Sequence, residues 1–277
     1  MKQALFLSAA LLFIGSCSPK PGSEITSRQT PLKADAAVLV LDDTSTSRIT
    51  GIEIGRLRSG DNGFSSHCSY TEVIERLKQM ARQNGANIIQ ITEHKKPDSK
   101  SSCSRIKATI YKVDDAKAYE KKIEWSADRK LTWQDFKAAP VTGTDFSAAT
   151  SVGFSYQSVP GPLFSRIKFV VKNTFNCDLS WVNPRHNKNA YLLSHEQLHF
   201  DICEVHARLL RKKFAENKLT IFNVKQCSAY FNEVFAGYEA QQKLFDEESD
   251  HGINEKKQAE WRSKTDAALL ELRMYAQ

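Results

Sequence analysis

Hydrophobic and polar positions recur in two rhythms along this chain, and the rhythm changes part-way. Ala36 to Leu41 is an apolar run of strand length, and Ile52 to Leu57 alternates with period two, which predicts two strands. Tyr70 to Gln83 then places Val73, Ile74, Leu77, Met80 and Ala81 on one helical face, and Asn84-Gly85 supplies the stop. Ala86 to Ile91 is a second buried-strand run, and Ile106 to Val113 alternates again. The expected order over residues 33–113 is strand, strand, helix, strand, strand. The charged interval 114–130, helical at its start, reads as a linker.

From Leu131 the pattern restarts, and residues 131–277 read as a second unit. Ala149 to Gln157 and Ile167 to Thr174 are strand-like and flank the turn-rich Ser158 to Pro162. Beyond Pro184 the period becomes helical. Leu192, Leu193, Leu198, Ile202, Val205, Leu209, Leu210 and Phe214 share helical spacing, with Asn217 as a stop. A second helix is expected over Asn223 to Phe245 and a third from Asn254.

The N-terminus follows a different logic. Met1-Lys2, the apolar run Ala4 to Ile14 and Gly15-Ser16-Cys17 form the tripartite pattern of a secretory signal, too short to span a bilayer. Ile14 to Cys17 resembles a bacterial lipobox, so residues 1–16 are expected to be a lipoprotein signal peptide and Cys17 the lipidated first residue. The polar, Pro- and Gly-containing residues 17–32 read as a tether. With 277 residues, 41% apolar and 26% charged, the composition is globular. The net charge of +7 is spread along the chain and mixed with acids, which suits anionic membrane lipid and argues against nucleic acid as a partner.

Export changes the reading of the cysteines. Sequence separation pairs Cys68 with Cys103, and one further pair is expected among Cys177, Cys203 and Cys227.

The chemistry sits in His195-Glu196-Gln197-Leu198-His199. Histidines four apart on a helix point from one face in successive turns and can grip one cation. Zinc suits imidazole nitrogen, and Glu196 stands where a general base reaches water beside the ion. Asp201 and Glu204 are turned away from that face, Cys203 fits a core or disulfide role better, and His206 lies some 10 Å along the axis. A third ligand is expected from a later element. Phe245-Asp246-Glu247-Glu248-Ser249-Asp250-His251-Gly252 offers His251, aimed inward by a turn at Gly252, with Asp246 or Glu248 as alternative ligand or supporting group.

Several separated phrases carry a family resemblance: Leu131-Thr132-Trp133-Gln134-Asp135-Phe136, Ala148 to Ser151, Ser180-Trp181-Val182, His195 to Ile202 with Glu204 and Ala207-Arg208, and Phe245 to Gly252. Together they resemble the bacterial secreted family of zinc-dependent proteases with a His-Glu-x-x-His motif, a domain of unknown function. The resemblance implies a metal site at His195 and His199 with Glu196 as base, and makes Asp246 to Gly252 functional. This chain has Phe245 where that family usually has tyrosine, and Ser249 where threonine is usual. Residues 33–113 resemble Rcs-type stress-sensor lipoprotein domains in Ala81-Arg82-Gln83-Asn84-Gly85-Ala86-Asn87, which implies a disulfide-stapled binding or sensing module.

The expected fold class is therefore α+β: a small disulfide-stapled domain followed by a zincin-like domain with a short sheet and a mostly helical C-terminal half. The expected function is a lipid-anchored Zn2+ metallopeptidase hydrolysing peptide bonds in the bacterial cell envelope. Its partners would be peptide or protein substrates and the membrane, through the N-terminal lipid. The alternative is a noncatalytic envelope sensing or binding lipoprotein with a structural or degenerate zinc site.

Overall fold

A computed structural model of the chain describes residues 21–42, 48–60, 68–98, 101, 103–159, 166–185, 188–220 and 222–276. The expected signal peptide and the lipidation residue Cys17 lie outside the described residues. The chain is α+β and forms two compact units, Met1–Glu120 and Lys121–Gln277.

The first unit is a five-stranded sheet with one helix. Its strands are β1 (Gly22–Ile25), β2 (Leu39–Leu41), β3 (Ile52–Ser59), β4 (Ile88–Lys95) and β5 (Arg105–Lys112), in the order β1-β3-β5-β4-β2. All neighbours are antiparallel except β2 and β4. Helix α1 (Tyr70–Gln83) opens on a capping box in which Ser69 and Glu72 satisfy each other's backbone amides. It closes on Asn84 and on Gly85, whose φ of +78° is left-handed. The α1 face of Val73, Ile74, Leu77 and Ala81 packs on Ile54, Leu57, Ile89, Ile91, Ile106, Ala108 and Ile110. The expected bridge is present: Cys68 and Cys103 form a disulfide that ties the start of α1 to the approach to β5.

β1 corrects the expectation of a tether over residues 17–32. It carries no apolar alternation because backbone pairing holds it to β3, with Gly22 opposite Arg58 and Ile25 opposite Gly55. Gly55 makes the approach possible, since a Cβ there would lie 2.2 Å from the Glu24 carbonyl oxygen.

The second unit begins inside the interval expected to be a linker. Ala116–Tyr119 is a 3-10 turn of the first unit, whereas β6 (Lys122–Glu124) is an edge strand of a second sheet. With one inward apolar residue, Ile123, β6 is too short to show a period. It pairs with β9 (Lys168–Asn176), and β9 pairs with β8 (Val152–Val159), all antiparallel. β7 (Ala148–Ala149) and β10 (Trp181–Val182) form a separate two-stranded ladder. Three helices follow: α2 (Ala190–Glu216), α3 (Gln226–Ser249) and α4 (Glu255–Glu271).

α2 is the centre of this unit. Cys203, Ala207, Leu210 and Phe214 meet Phe154, Val171 and Tyr238 over the sheet, and Phe200 meets Phe136 and Phe175. Leu198 and Ile202 close on Phe245 of α3 and Trp261 of α4. No disulfide joins Cys177, Cys203 and Cys227, contrary to the expected pair, and all three are buried thiols. Cys177 belongs to a different core cluster from the other two, and Cys203 engages Tyr238. Among the described residues, no helix is long and apolar enough to cross a membrane.

Candidate metal centre

Asn189 caps α2 by accepting from the Leu192 amide, and the helix then runs unbroken through His195, Glu196 and His199. One turn of separation brings the two imidazoles side by side, Nε2 to Nε2 at 3.2 Å. From the last turn of α3, Asp246 places Oδ1 3.4 Å from His195 Nε2 and 3.1 Å from His199 Nε2. These three residues form a group that could hold a metal ion.

The opposite edges of both rings are fixed by glutamines. His195 Nδ1 lies 3.1 Å from Gln258 Oε1, and His199 Nδ1 meets Gln242 Oε1. Each amide is oriented in turn, because Gln258 Nε2 donates to Ser194 Oγ and Gln242 Nε2 donates to the His199 carbonyl. With their oxygens committed to the rings, the glutamines select imidazoles protonated on Nδ1. Both Nε2 atoms then lie on the Asp246 side, free to take up a proton or a cation.

Phe245 is fully buried behind the pair, stacked on His195 at 4.6 Å between ring centroids and edge-on to His199 at 4.9 Å. Phe245 is thus a packing surface for the imidazoles.

The electrostatics follow from this crowding. Burial would lower the pKa of His199, but the Asp246 carboxylate, the charge of Glu196 and the Gln242 contact raise it on balance. Burial would likewise raise Asp246, and the two histidines more than offset that, holding its carboxyl well below the usual range. Glu196 is itself buried one residue from His195.

Of the expected third ligands, the structure brings Asp246 to the histidines. His251 stands beside the group with Nδ1 3.8 Å from Asp246 Oδ1, half exposed and packed on the Phe146 ring. The reason is the turn. Asp250, His251 and Gly252 all have positive φ, at 48°, 51° and 89°, and this reversal seats Gly252 rather than an imidazole against His195. A Cβ on Gly252 would lie 3.3 Å from the His195 ring. Glu248 is turned elsewhere and accepts from Trp261 Nε1 at 3.0 Å.

No family model, curated protein or solved structure matches this chain. What the centre can do follows from its own geometry.

The residues set aside on α2 have structural partners. Asp201 accepts from Trp125 Nε1, Gln197 Nε2 and Arg262. Glu204 binds Arg208 and Arg211, and His206 meets Gln241 away from the centre. Gln242 and Gln258 escaped sequence reasoning. Gln242 lies four residues before Asp246 and so shares its helix face, a signal that could have found it. Gln258 follows no pattern of its own.

A cavity of about 480 Å³ opens beside the centre, between the His251–Ile253 turn and Arg185, Asn189, Tyr191 and Leu192.

Proposed function

We propose that this chain is a zinc-dependent peptide-bond hydrolase of the bacterial envelope, anchored through lipid on Cys17, with His195, His199 and Asp246 as metal ligands and Glu196 as general base. The supporting observation is that His195 Nε2, His199 Nε2 and Asp246 Oδ1 converge within 3.4 Å of one another, a group that could hold a metal ion. With both imidazoles protonated on Nδ1, the two Nε2 atoms 3.2 Å apart and a carboxylate oxygen within 3.4 Å of both would all present lone pairs to one shared cation. Bonds of about 2.0–2.1 Å to a tetrahedral zinc imply ligand separations of about 3.3–3.4 Å, close to those found. Two imidazoles and a carboxylate suit zinc, and three protein ligands leave the fourth position that a catalytic site requires.

Zinc held by His195, His199 and Asp246 would supply Lewis acidity toward a carbonyl oxygen and would lower the pKa of a bound water to about 7. The protein does the rest. Gln242 and Gln258 hold both rings in the ligating tautomer, and Phe245 sets their planes. Glu196 takes a proton from the attacking water and delivers it to the leaving amine. The resemblance over Leu131 to the C-terminus points the same way, and so does the adjoining cavity.

The burial of His195 and Glu196, each 3% exposed, favours one second reading, a zinc-stabilised scaffold without turnover. Glu196→Gln separates the two. Zinc content should stay stoichiometric while hydrolysis of a peptide library disappears. Turnover that survives in a zinc-verified variant would rule out Glu196 as the base. Stoichiometric zinc in the wild type with no cleavage, and no activity restored by zinc after chelation, would favour the scaffold.

A further inference from the structure

Two contacts tie the 480 Å³ cavity to the metal centre. Its Gly252 wall sits against the His195 ring, and its His251 imidazole lies 3.8 Å from the ligand oxygen of Asp246. A molecule seated in the cavity therefore lies one residue away from the metal group, separated from it by His251 and Gly252. Among the described residues, the lining contains a single Lys or Arg side chain, Arg185, and no carboxylate. Arg185 engages Asn183 through its backbone amide, at 3.0 Å, while its guanidinium makes no hydrogen bond or ion pair among the described residues. Apolar side chains gather at the same mouth: Ile253 is 76% exposed, and Phe146, packed on His251, is 50% exposed. A concave site with an apolar wall and one uncommitted cation suits an anionic group on an otherwise apolar ligand. A planar guanidinium with open donors matches a carboxylate by two parallel hydrogen bonds.

We propose that this cavity is the recognition pocket of the metal site and that Arg185 binds a carboxylate of the peptide next to the scissile bond. The proposal rests on the peptidase reading above. That carboxylate belongs either to an acidic side chain or to the C-terminus of the substrate. The first makes the protein an endopeptidase directed to acidic residues, and the second a carboxypeptidase.

Binding tests the pocket without requiring turnover. The probes are acetyl-Ala-Ala-Glu-Ala-amide, its Gln counterpart, and acetyl-Ala-Ala-Ala with a free C-terminus. They are titrated by calorimetry into the zinc-loaded full chain carrying Glu196→Gln, with and without Arg185→Ala or Arg185→Lys. At least one carboxylate probe should bind about tenfold more tightly than the Gln peptide. Arg185→Ala should erase that difference and leave the neutral peptide within about twofold, while Arg185→Lys should keep part of it. The stronger of the two carboxylate probes identifies the source. Equal binding of all three probes, or discrimination that survives Arg185→Ala, overturns the pocket. Discrimination by a wild-type protein that cleaves none of the peptides sinks the peptidase reading and leaves the pocket standing. Cleavage without charge preference, unchanged by Arg185→Ala, does the reverse.

Discussion

In the first unit, α1 turns Val73, Ile74, Leu77 and Ala81 onto a sheet face of Leu57, Ile91, Ile106 and Ala108, and among the described residues of that unit no charged side chain is buried. α2 in the second unit buries His195, Glu196, Asp201, Glu204, His206 and Arg208 among its apolar residues. Each interior obeys a different rule. Apolar packing is non-directional, scales with area and needs only the right periodicity. Buried charge is tolerated only where partners meet it at hydrogen-bond geometry, as Trp125, Gln197 and Arg262 do for Asp201. The His195–His199–Asp246 group, which could hold a metal ion, belongs to the second interior because its contacts, like those charges, require fixed directions.

The contrast predicts unequal responses to single changes, and a built-in probe reads them. All four tryptophans, Trp125, Trp133, Trp181 and Trp261, lie in the second unit. The largest effect is expected from Glu204→Ala, which strips Arg208 and Arg211 of their buried counter-charge. It should cost about 3–5 kcal/mol in urea unfolding followed by tryptophan fluorescence. A cost below about 1 kcal/mol would show that α2 does not depend on its charge network.

Removing the bridge with Cys68→Ala and Cys103→Ala reopens a loop spanning 35 residues and should cost the first unit about 2–4 kcal/mol. Far-ultraviolet circular dichroism should show that loss while the tryptophan transition stays in place. A comparable shift of the tryptophan transition would break the comparison.

Next come the residues that orient the ligands. Gln242→Leu and Gln258→Leu keep bulk but release the imidazole Nδ1 atoms. Each should weaken zinc about 10- to 100-fold in competition with a chelating dye, with little change in the fold. Unchanged affinity would mean that packing against Phe245 alone orients the rings.

A smaller, pH-dependent effect should arise at Asp135. Burial would raise its pKa, but the Arg129 guanidinium and the Thr132 amide and hydroxyl hold it below the ordinary 3.8. A carboxyl depressed in the folded state stabilises above its unfolded pKa, and that contribution fades as pH falls through the folded value. Asp135→Asn should therefore flatten the melting temperature of the second unit between about pH 5 and 2. The smallest response should come from half-buried Glu93, which pairs with the exposed Lys95 and Lys107. Glu93→Gln should leave unfolding unchanged within error.

Legibility in the sequence followed the same division. The Tyr70–Gln83 helix, four of the five strands of its sheet, and the helices of the second unit were visible because a repeating apolar face is a local signal. β1 and β6 were hidden because a glycine on the partner strand or a single inward residue stabilises each, and neither leaves a period. His195 and His199 were visible because helical spacing alone brings them together. Asp246 was one choice among three, since helix geometry does not say how the chain turns after α3. The left-handed run at Asp250, His251 and Gly252 made that choice.

Short-range periodicity and separation along the chain were thus enough for the two paired histidines with Glu196 beside them, the Cys68–Cys103 bridge and the helices. Only the tertiary structure decided that Asp246 completes the group, that Gln242 and Gln258 set the tautomers and that His251 stands at the cavity mouth. The glutamine contacts join residues 43 to 64 positions apart, between α2 and α3 or α4, where the direction of each helix rather than any local pattern fixes which atoms meet.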